Sequence, residues 1–199
     1  MADIRQLYSV DQSLLERLIV GYTSDEAYQV IREEAPDLIR FELRLIPLER
    51  PFVKQYPLDT QMIAQYSALA VAGHAFGAFV GETCVAIALC EPRPWNSSLN
   101  VHEFHIAPDF HRQGIGRALM AAVEEHARAE GMRRLVLETQ TPNAPAIRFY
   151  RALGFTLDAV DISLYSGDDL ARGEVAVFMK KEMAASSPPD GFSLAAYSK

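Results

Sequence analysis

The sequence predicts a mixed α/β fold, a sheet with helices on both faces, and three observations predict it. Two apolar runs, 75–80 and 85–90, flank Gly81-Glu82 and read as a β-hairpin. A strand-like run at 101–106 leads through a glycine-bearing loop into a helical pattern with Ile115, Leu119, Ala122, Val123 and His126 on one face. The short apolar run Leu135-Val136-Leu137 then has the character of a central buried strand, and Pro142 and Asn143 open a further helix.

In order along the chain, residues 4–8 suit a first strand. Asp11 caps a helix whose apolar positions include Leu14, Leu15, Leu18 and Ile19. Residues 25–34 carry a second helical pattern that Pro36 stops, so the sheet is entered through a helical pair. Phe41, Leu43 and Leu45 alternate with Glu42 and Arg44, the pattern of a half-buried strand. A short helix at 59–65 precedes the hairpin, and Pro92, Pro94, Trp95 and Asn96 form the loop before strand 101–106. Gly131 ends the helix that begins near Ile115, and Gly154 ends the one opened by Asn143. Strands at 155–165 and 174–179 complete the sheet. Residues 1–183 read as one domain with its core at about 75–180, and 184–199, with Ser-Ser-Pro-Pro-Asp-Gly, as a mobile tail.

Composition narrows the function classes. An apolar content of 49% belongs to a folded protein. A net charge of −7 argues against general nucleic-acid binding, which needs a basic surface, and mildly favours cationic ligands. Cys84 and Cys90, an even number of residues apart on one strand, are expected to face the same way but too far apart to bridge. That suits a reduced, cytoplasmic protein. The first residues lack a signal-peptide layout. Residues 62–80 contain no Asp, Glu, Lys or Arg, yet Gln65, Ser67, Gly73, His74 and Gly77 make them a buried helix–strand segment rather than a membrane span. No nucleic acid or membrane is therefore expected as a partner, and a homodimer stays open.

The chemistry begins at His111-Arg112-Gln113-Gly114-Ile115-Gly116-Arg117. A helix N-terminus leaves backbone N–H groups unpaired at the positive end of the dipole, and glycines let that backbone approach an anion. Arg112 and Arg117 can add charge-assisted hydrogen bonds. The loop is neither a P-loop, since no Lys-Ser or Lys-Thr follows the second glycine, nor a dinucleotide fingerprint, since the third glycine is missing.

Together with Asn143, Ala146, Phe149, Tyr150, Gly154 and Phe155, this loop resembles the acetyl-CoA-binding core of the GNAT superfamily, an Arg/Gln-x-x-Gly-x-Gly/Ala cradle followed by Asn-x-x-Ala-x-x-Phe-Tyr-x-x-x-Gly-Phe. His111 stands where that pattern has Arg or Gln. Trp95-Asn96, Leu137-Glu138-Thr139-Gln140, Asp161-x-x-Leu164-Tyr165 and Glu174-x-Ala176-x-Phe178 are similar to the streptothricin acetyltransferase group, with a weaker match at Phe41-x-Leu43 and Pro51-Phe52-x-Lys54-x-Tyr56. The resemblance implies a mixed, mostly antiparallel twisted sheet and acetyl-CoA as co-substrate, without a metal. It further implies transfer of acetyl to a primary amine of a small cationic acceptor, with a streptothricin-like molecule as the leading candidate. Acetylation of a protein amine, or a non-catalytic acyl-CoA sensor, are the alternatives.

An ammonium with a pKa of about 10 must lose a proton before it attacks, and the departing thiolate must gain one. Tyr150 resembles the family's general acid, and its other reading is a core aromatic beside Phe149. Glu103 is the candidate base, directly or through water, its other reading being a salt-bridged carboxylate. Strand alternation puts Glu103 and His105 on one face and His102 and Phe104 on the other. His105 reads first as packing. The two histidines of His102-Glu103-Phe104-His105 diverge along a strand, so no metal site is expected there. Asp161, Tyr165 and Glu174 can form an anionic, aromatic rim for a cation. Trp95 either lines the acceptor pocket or pins its own loop. By resemblance the backbone of Ile106 and Ala107 holds the pantetheine arm. Asn143 either positions that arm or caps its helix.

Overall fold

The computed structural model describes residues 2–183, so the tail expected at 184–199 lies outside the described residues. β1 (Asp3–Leu7) and α1 (Gln12–Leu18) are followed by a long hairpin, β2 (Tyr22–Ala35) and β3 (Leu38–Lys54). Then come α2 (Thr60–Val71), β4 (Ala75–Val80), β5 (Thr83–Arg93), β6 (Ser98–Ile106) and α3 (Ile115–Ala129). The chain closes with β7 (Arg134–Gln140), α4 (Ala144–Ala152), β8 (Thr156–Asp161), the short α5 (Asp169–Arg172) and β9 (Ala176–Glu182).

Seven strands form one sheet in the order β1-β4-β5-β6-β7-β9-β8. Its pairs are antiparallel except β6–β7, which α3 joins as a crossover and which is therefore parallel. One core lies between the sheet and α3 and α4, built on Leu119, Met120, Val123, Leu135, Ile147 and Met179. A second lies under α1 and α2, with Leu15, Leu18, Tyr66, Ala70, Ile87 and Leu89. Asp11 and Asp59 cap α1 and α2 by accepting from Leu14 and Met62 N–H at 2.7 and 2.8 Å. No helix among the described residues is long and apolar enough to cross a membrane.

Several expectations need correction. Residues 25–34 are strand, not helix: β2 pairs with β3 from Tyr22↔Lys54 to Ala35↔Leu38 around the turn at Pro36-Asp37. The helical pair at the entrance is thus one helix and a β-arm. Ala27, Val30 and Ile31 have helical spacing, but the β-branched residues and a long alternating partner decide for strand. The helix expected at 59–65 extends to Val71. Tyr165 lies beyond β8, in the connection to α5.

Cys84 and Cys90 do not share a face. Ala78↔Ala86 gives way to Phe79↔Cys84, leaving Val85 as an extra residue. The bulge sends Cys84 into the α1–α2 core and Cys90 into the α3–α4 core, both as free thiols.

His74 and His126 meet at the rim of the sheet, Nδ1 to Nε2 at 3.0 Å, with Phe76 against the His126 ring at 5.2 Å. At that separation one of the two nitrogens must accept, so at least one of the imidazoles is neutral. Burial, then the charge of His74, push the His126 pKa down. The folded chain therefore takes up this proton less readily than the unfolded one, whose histidines have a pKa of about 6.5. The pair's contribution is fully present above that value and lost as pH falls below it. The melting temperature followed from pH 8 to pH 5 is expected to decline over the acid half of that range, and His126→Gln to flatten the decline. An equal decline in the variant would remove the pair as its cause.

Candidate functional site

β6 and β7 pair only from Ser98↔Arg134 to Val101↔Leu137, although β6 continues to Ile106 and β7 to Gln140. At the point of parting, His102 is an extra residue, the β5–β6 register passing from Leu89↔Glu103 to Cys90↔Val101. Such a bulge bends its strand and re-aims side chains. A slot opens between the two strands. Ala107 N–H donates to Val85 O at 2.8 Å, and ladder alternation then turns the backbone groups of Phe104 and Ile106 away from β5, toward the slot. Of Ile106 and Ala107, Ile106 presents its N–H there. Its carbonyl accepts from His111 Nε2 at 2.8 Å, so the histidine ties the loop to the end of β6.

The loop closes one end of the slot. Gly114 and Arg112 have φ of 82° and 58°. Gly114 begins α3 without a side-chain cap, so the N–H groups of Ile115, Gly116 and Arg117 at its first turn have no capping acceptor. His111, Arg112, Gln113, Gly114 and Arg117 are exposed, and Gln113 Nε2 donates to Asp109 O at 3.0 Å, bracing the turn. Gly116 has another reason to be glycine: an added Cβ would lie 2.8 Å from Ile106 Cδ1 and 3.0 Å from Phe149 Cζ. Here α3, α4 and the end of β6 make close contact. Asn143 Oδ1 accepts from Ala146 N at 3.3 Å, so the capping reading of Asn143 holds, and Ala146 and Phe149 pack on the α3–α4 core.

Tyr150 and Glu103 lie on opposite faces of the sheet. Tyr150 belongs to the α3–α4 core, its ring 6.3 Å from Phe104, 5.3 Å from Phe149 and 5.6 Å from Phe155. The ring is a core aromatic, yet its hydroxyl makes no hydrogen bond among the described residues. Burial, then the charge of Glu103, raise its pKa. Glu103 lies toward α2, accepting from Tyr66 O–H at 2.5 Å and pairing with His105 Nε2 at 2.6 Å. Burial pushes its carboxyl up, but the hydrogen bonds and charge of His105, with Tyr66 and His102, outweigh this and hold it below the ordinary carboxylate range. The bulge corrects the expected alternation: His102 does not join Phe104 but lies with Glu103 toward α2, edge-on to Tyr66 at 5.5 Å and 3.1 Å from Gln65 Nε2.

The wall beyond Glu103 is tyrosine-rich. Tyr22 and Tyr56 hydroxyls both donate to Gln140 Oε1, at 3.0 and 2.9 Å, and Tyr56 lies against His105 at 6.0 Å. Tyr165 donates its O–H to Glu138. Asp169, buried, accepts from Tyr165 N and Ser166 N at 2.8 Å each and so fastens the loop that presents Tyr165. Of the expected rim, Glu174 is bound to Lys54 Nζ at 2.5 Å, and Asp161 accepts from Ser163 N at 2.9 Å within its own turn. Trp95 is 83% exposed in the turn before β6, at the end of that strand remote from Glu103. Glu138, Gln140 and Tyr56 stood in recognisable motifs but had no readable role. Tyr22, Tyr66 and Asp169 gave no signal. Among the described residues no group of three His, Cys, Asp or Glu is placed to hold a metal. A larger groove of about 460 Å³ between α1 and the β4–β5 turn is remote from this chemistry.

Fold and site together define an acyl-transfer enzyme built on a split sheet. The chain belongs to the acetyltransferase (GNAT) family, whose model matches residues 37–155. It is 34% identical over 177 residues to a streptothricin acetyltransferase of Streptomyces lavendulae, covering 85% of this chain and 88% of that one. A crystal structure of nourseothricin acetyltransferase superposes with a TM-score of 0.72 at 29% identity, covering 92% of this chain and 99% of that one. A putative streptothricin acetyltransferase from Bacillus anthracis, solved in complex with acetyl coenzyme A, shares the fold with a TM-score of 0.70 at 17% identity, covering 92% and 98%. The protein is an N-acetyltransferase that uses acetyl-CoA.

The two glycines make separable predictions. Gly116→Ala is expected to cost about 1–3 kcal/mol through overpacking against Ile106 and Phe149. Gly114→Ala meets no atom within 4 Å, and its positive φ costs about 1–2 kcal/mol. Denaturant titration reads both losses. A Gly116→Ala protein as stable as the parent would remove the close contact from the account.

Proposed function

We propose that the protein transfers acetyl directly from acetyl-CoA to a primary amine of a small, cationic, streptothricin-like acceptor, working in the cytoplasm. What carries this reading is the placement of Glu103 and Tyr150 on opposite faces of one slot. The residues present fit the donor. The N–H groups of Ile115, Gly116 and Arg117 have no side-chain cap, the space around Gly114 is open to 4 Å, and Arg112 and Arg117 lie in the same turn, a set of donors that suits a pyrophosphate. The slot-facing backbone of Phe104 and Ile106 offers strand-like partners to pantetheine amides, with His111 holding that end of β6 and Asn143, Ala146 and Phe149 forming the opposite wall. Acetyl-CoA supplies the acetyl group as a thioester.

Glu103, held ionised, draws the proton from the acceptor ammonium through a water, because both of its oxygens already accept hydrogen bonds. Tyr150, kept protonated by burial, gives its proton to the departing sulfur from the other face. The free thiols suit a reduced compartment. Burial pushes the Cys90 thiol up to about 12, which disfavours an acetyl-cysteine route.

The deciding assay follows thiol release from acetyl-CoA against a panel of amines that includes streptothricin. Release with streptothricin is expected, and no release with any amine would overturn the reading. Tyr150→Phe should lower kcat by about 10²–10⁴-fold while acetyl-CoA affinity changes little. Because the Tyr150 pKa lies above the ordinary tyrosine value of about 10, wild-type kcat should not fall as pH rises from 8 to that value. Glu103→Gln should lower kcat by about 10²–10⁴-fold, and an unchanged pH–rate profile would exclude Glu103 as the base.

A further inference from the structure

The carboxylates around the acceptor side are not equivalent. Glu103 is matched by His105 and Tyr66, Glu174 by the Lys54 ammonium, and Asp161 by the Ser163 backbone. Glu138 accepts from the Tyr165 hydroxyl and takes part in no ion pair among the described residues. It directly follows Leu137, the last β7 residue paired to β6, and so stands at the mouth of the slot.

Glu138 also lines a recess of about 180 Å³ with Arg93, Asn100, Val101, His102 and Phe178. That is room for about six waters, or for an alkylammonium that displaces them. Arg93, also on this lining, leans toward Glu91 at 3.9 Å. A second observation points to the ligand. The chain's own alkylammonium, Lys54 Nζ, already lies 5.9 Å over the Tyr165 ring, so the ring that donates to Glu138 has a cation at its face. Although its side chain is exposed at the edge of the recess, partial desolvation raises the Glu138 pKa; the Tyr165 hydrogen bond opposes this, and the charges of Glu103 and Glu174 add to the rise. A bound cation relieves the repulsion from those two carboxylates.

We infer that Glu138, presented by Tyr165, anchors a second cationic group of the acceptor, so that the enzyme selects diamines and polyamines over single amines. The inference rests on the amine-transfer function proposed above. The reacting amine lies toward Glu103 and the non-reacting ammonium toward Glu138, and the span between them selects the length of the acceptor.

The test compares kcat/KM, by thiol release, for α,ω-diaminoalkanes and n-alkylamines of matching chain length. Wild-type enzyme is expected to favour the diamine at least about tenfold at one optimal length, equivalent to about 1.4 kcal/mol. Glu138→Gln should collapse that ratio toward the statistical advantage of two reactive ends. Glu138→Asp should retain a preference but move its optimum to a longer diamine. Thiol release with single amines and no diamine advantage in the wild type overturns this inference alone, as does a Glu138→Gln enzyme that keeps the wild-type ratio. No release with any amine instead overturns the function on which it rests.

Discussion

Everything in this site depends on β6 and β7 ceasing to pair after Val101↔Leu137. Unpaired backbone inside a sheet is costly unless something else satisfies it. Here the bulge at His102 turns β6 aside, and the Ile106 carbonyl is met by His111. The N–H groups that remain form a strand edge with one side free, which an extended amide-bearing chain can complete. Across the same parting, Tyr150 on α4 and Glu103 on β6 lie on opposite faces of the sheet.

The electrostatics follow from the same geometry. Glu103 and Glu138 stand on the two strands that part, and their environments drive them in opposite directions: hydrogen bonds from His105 and Tyr66 keep Glu103 ionised, whereas partial desolvation and the neighbouring carboxylates raise Glu138. On the proposed function, the first receives a proton relayed from an ammonium and the second holds a cation that stays. The β2–β3 arm supplies the surrounding surface, bringing Tyr22 and Lys54 over the sheet and delivering the chain to Tyr56. Its base is pinned by Tyr28 N–H on Thr141 O at 2.9 Å and by Arg148 on Glu26 at 2.5 Å.

The sequence disclosed those parts of the fold that local chemistry determines. Gly81-Glu82 between apolar runs made the β4–β5 hairpin readable, and Asn143 with Gly154 bracketed α4 because caps act within a turn. β2 was unreadable because Ala27, Val30 and Ile31 satisfy a helical period, and only pairing with β3 decides against it. The bulges at Val85 and His102 likewise have no local signature, so the facing of Cys84, Cys90 and His102 came out wrong. Near the site, the glycine loop before α3 and the place of Tyr150 on α4 were legible through their order and spacing. The Lys54–Glu174 pair had no local signal, because the lysine lies 120 residues earlier in the chain.

Amide hydrogen exchange with and without coenzyme A tests the slot most directly. Binding is expected to slow exchange along residues 102–107 of β6, including Phe104 and Ile106, together with residues 112–117 at the start of α3. Protection elsewhere, with β6 exchanging at its unliganded rate, would contradict the account.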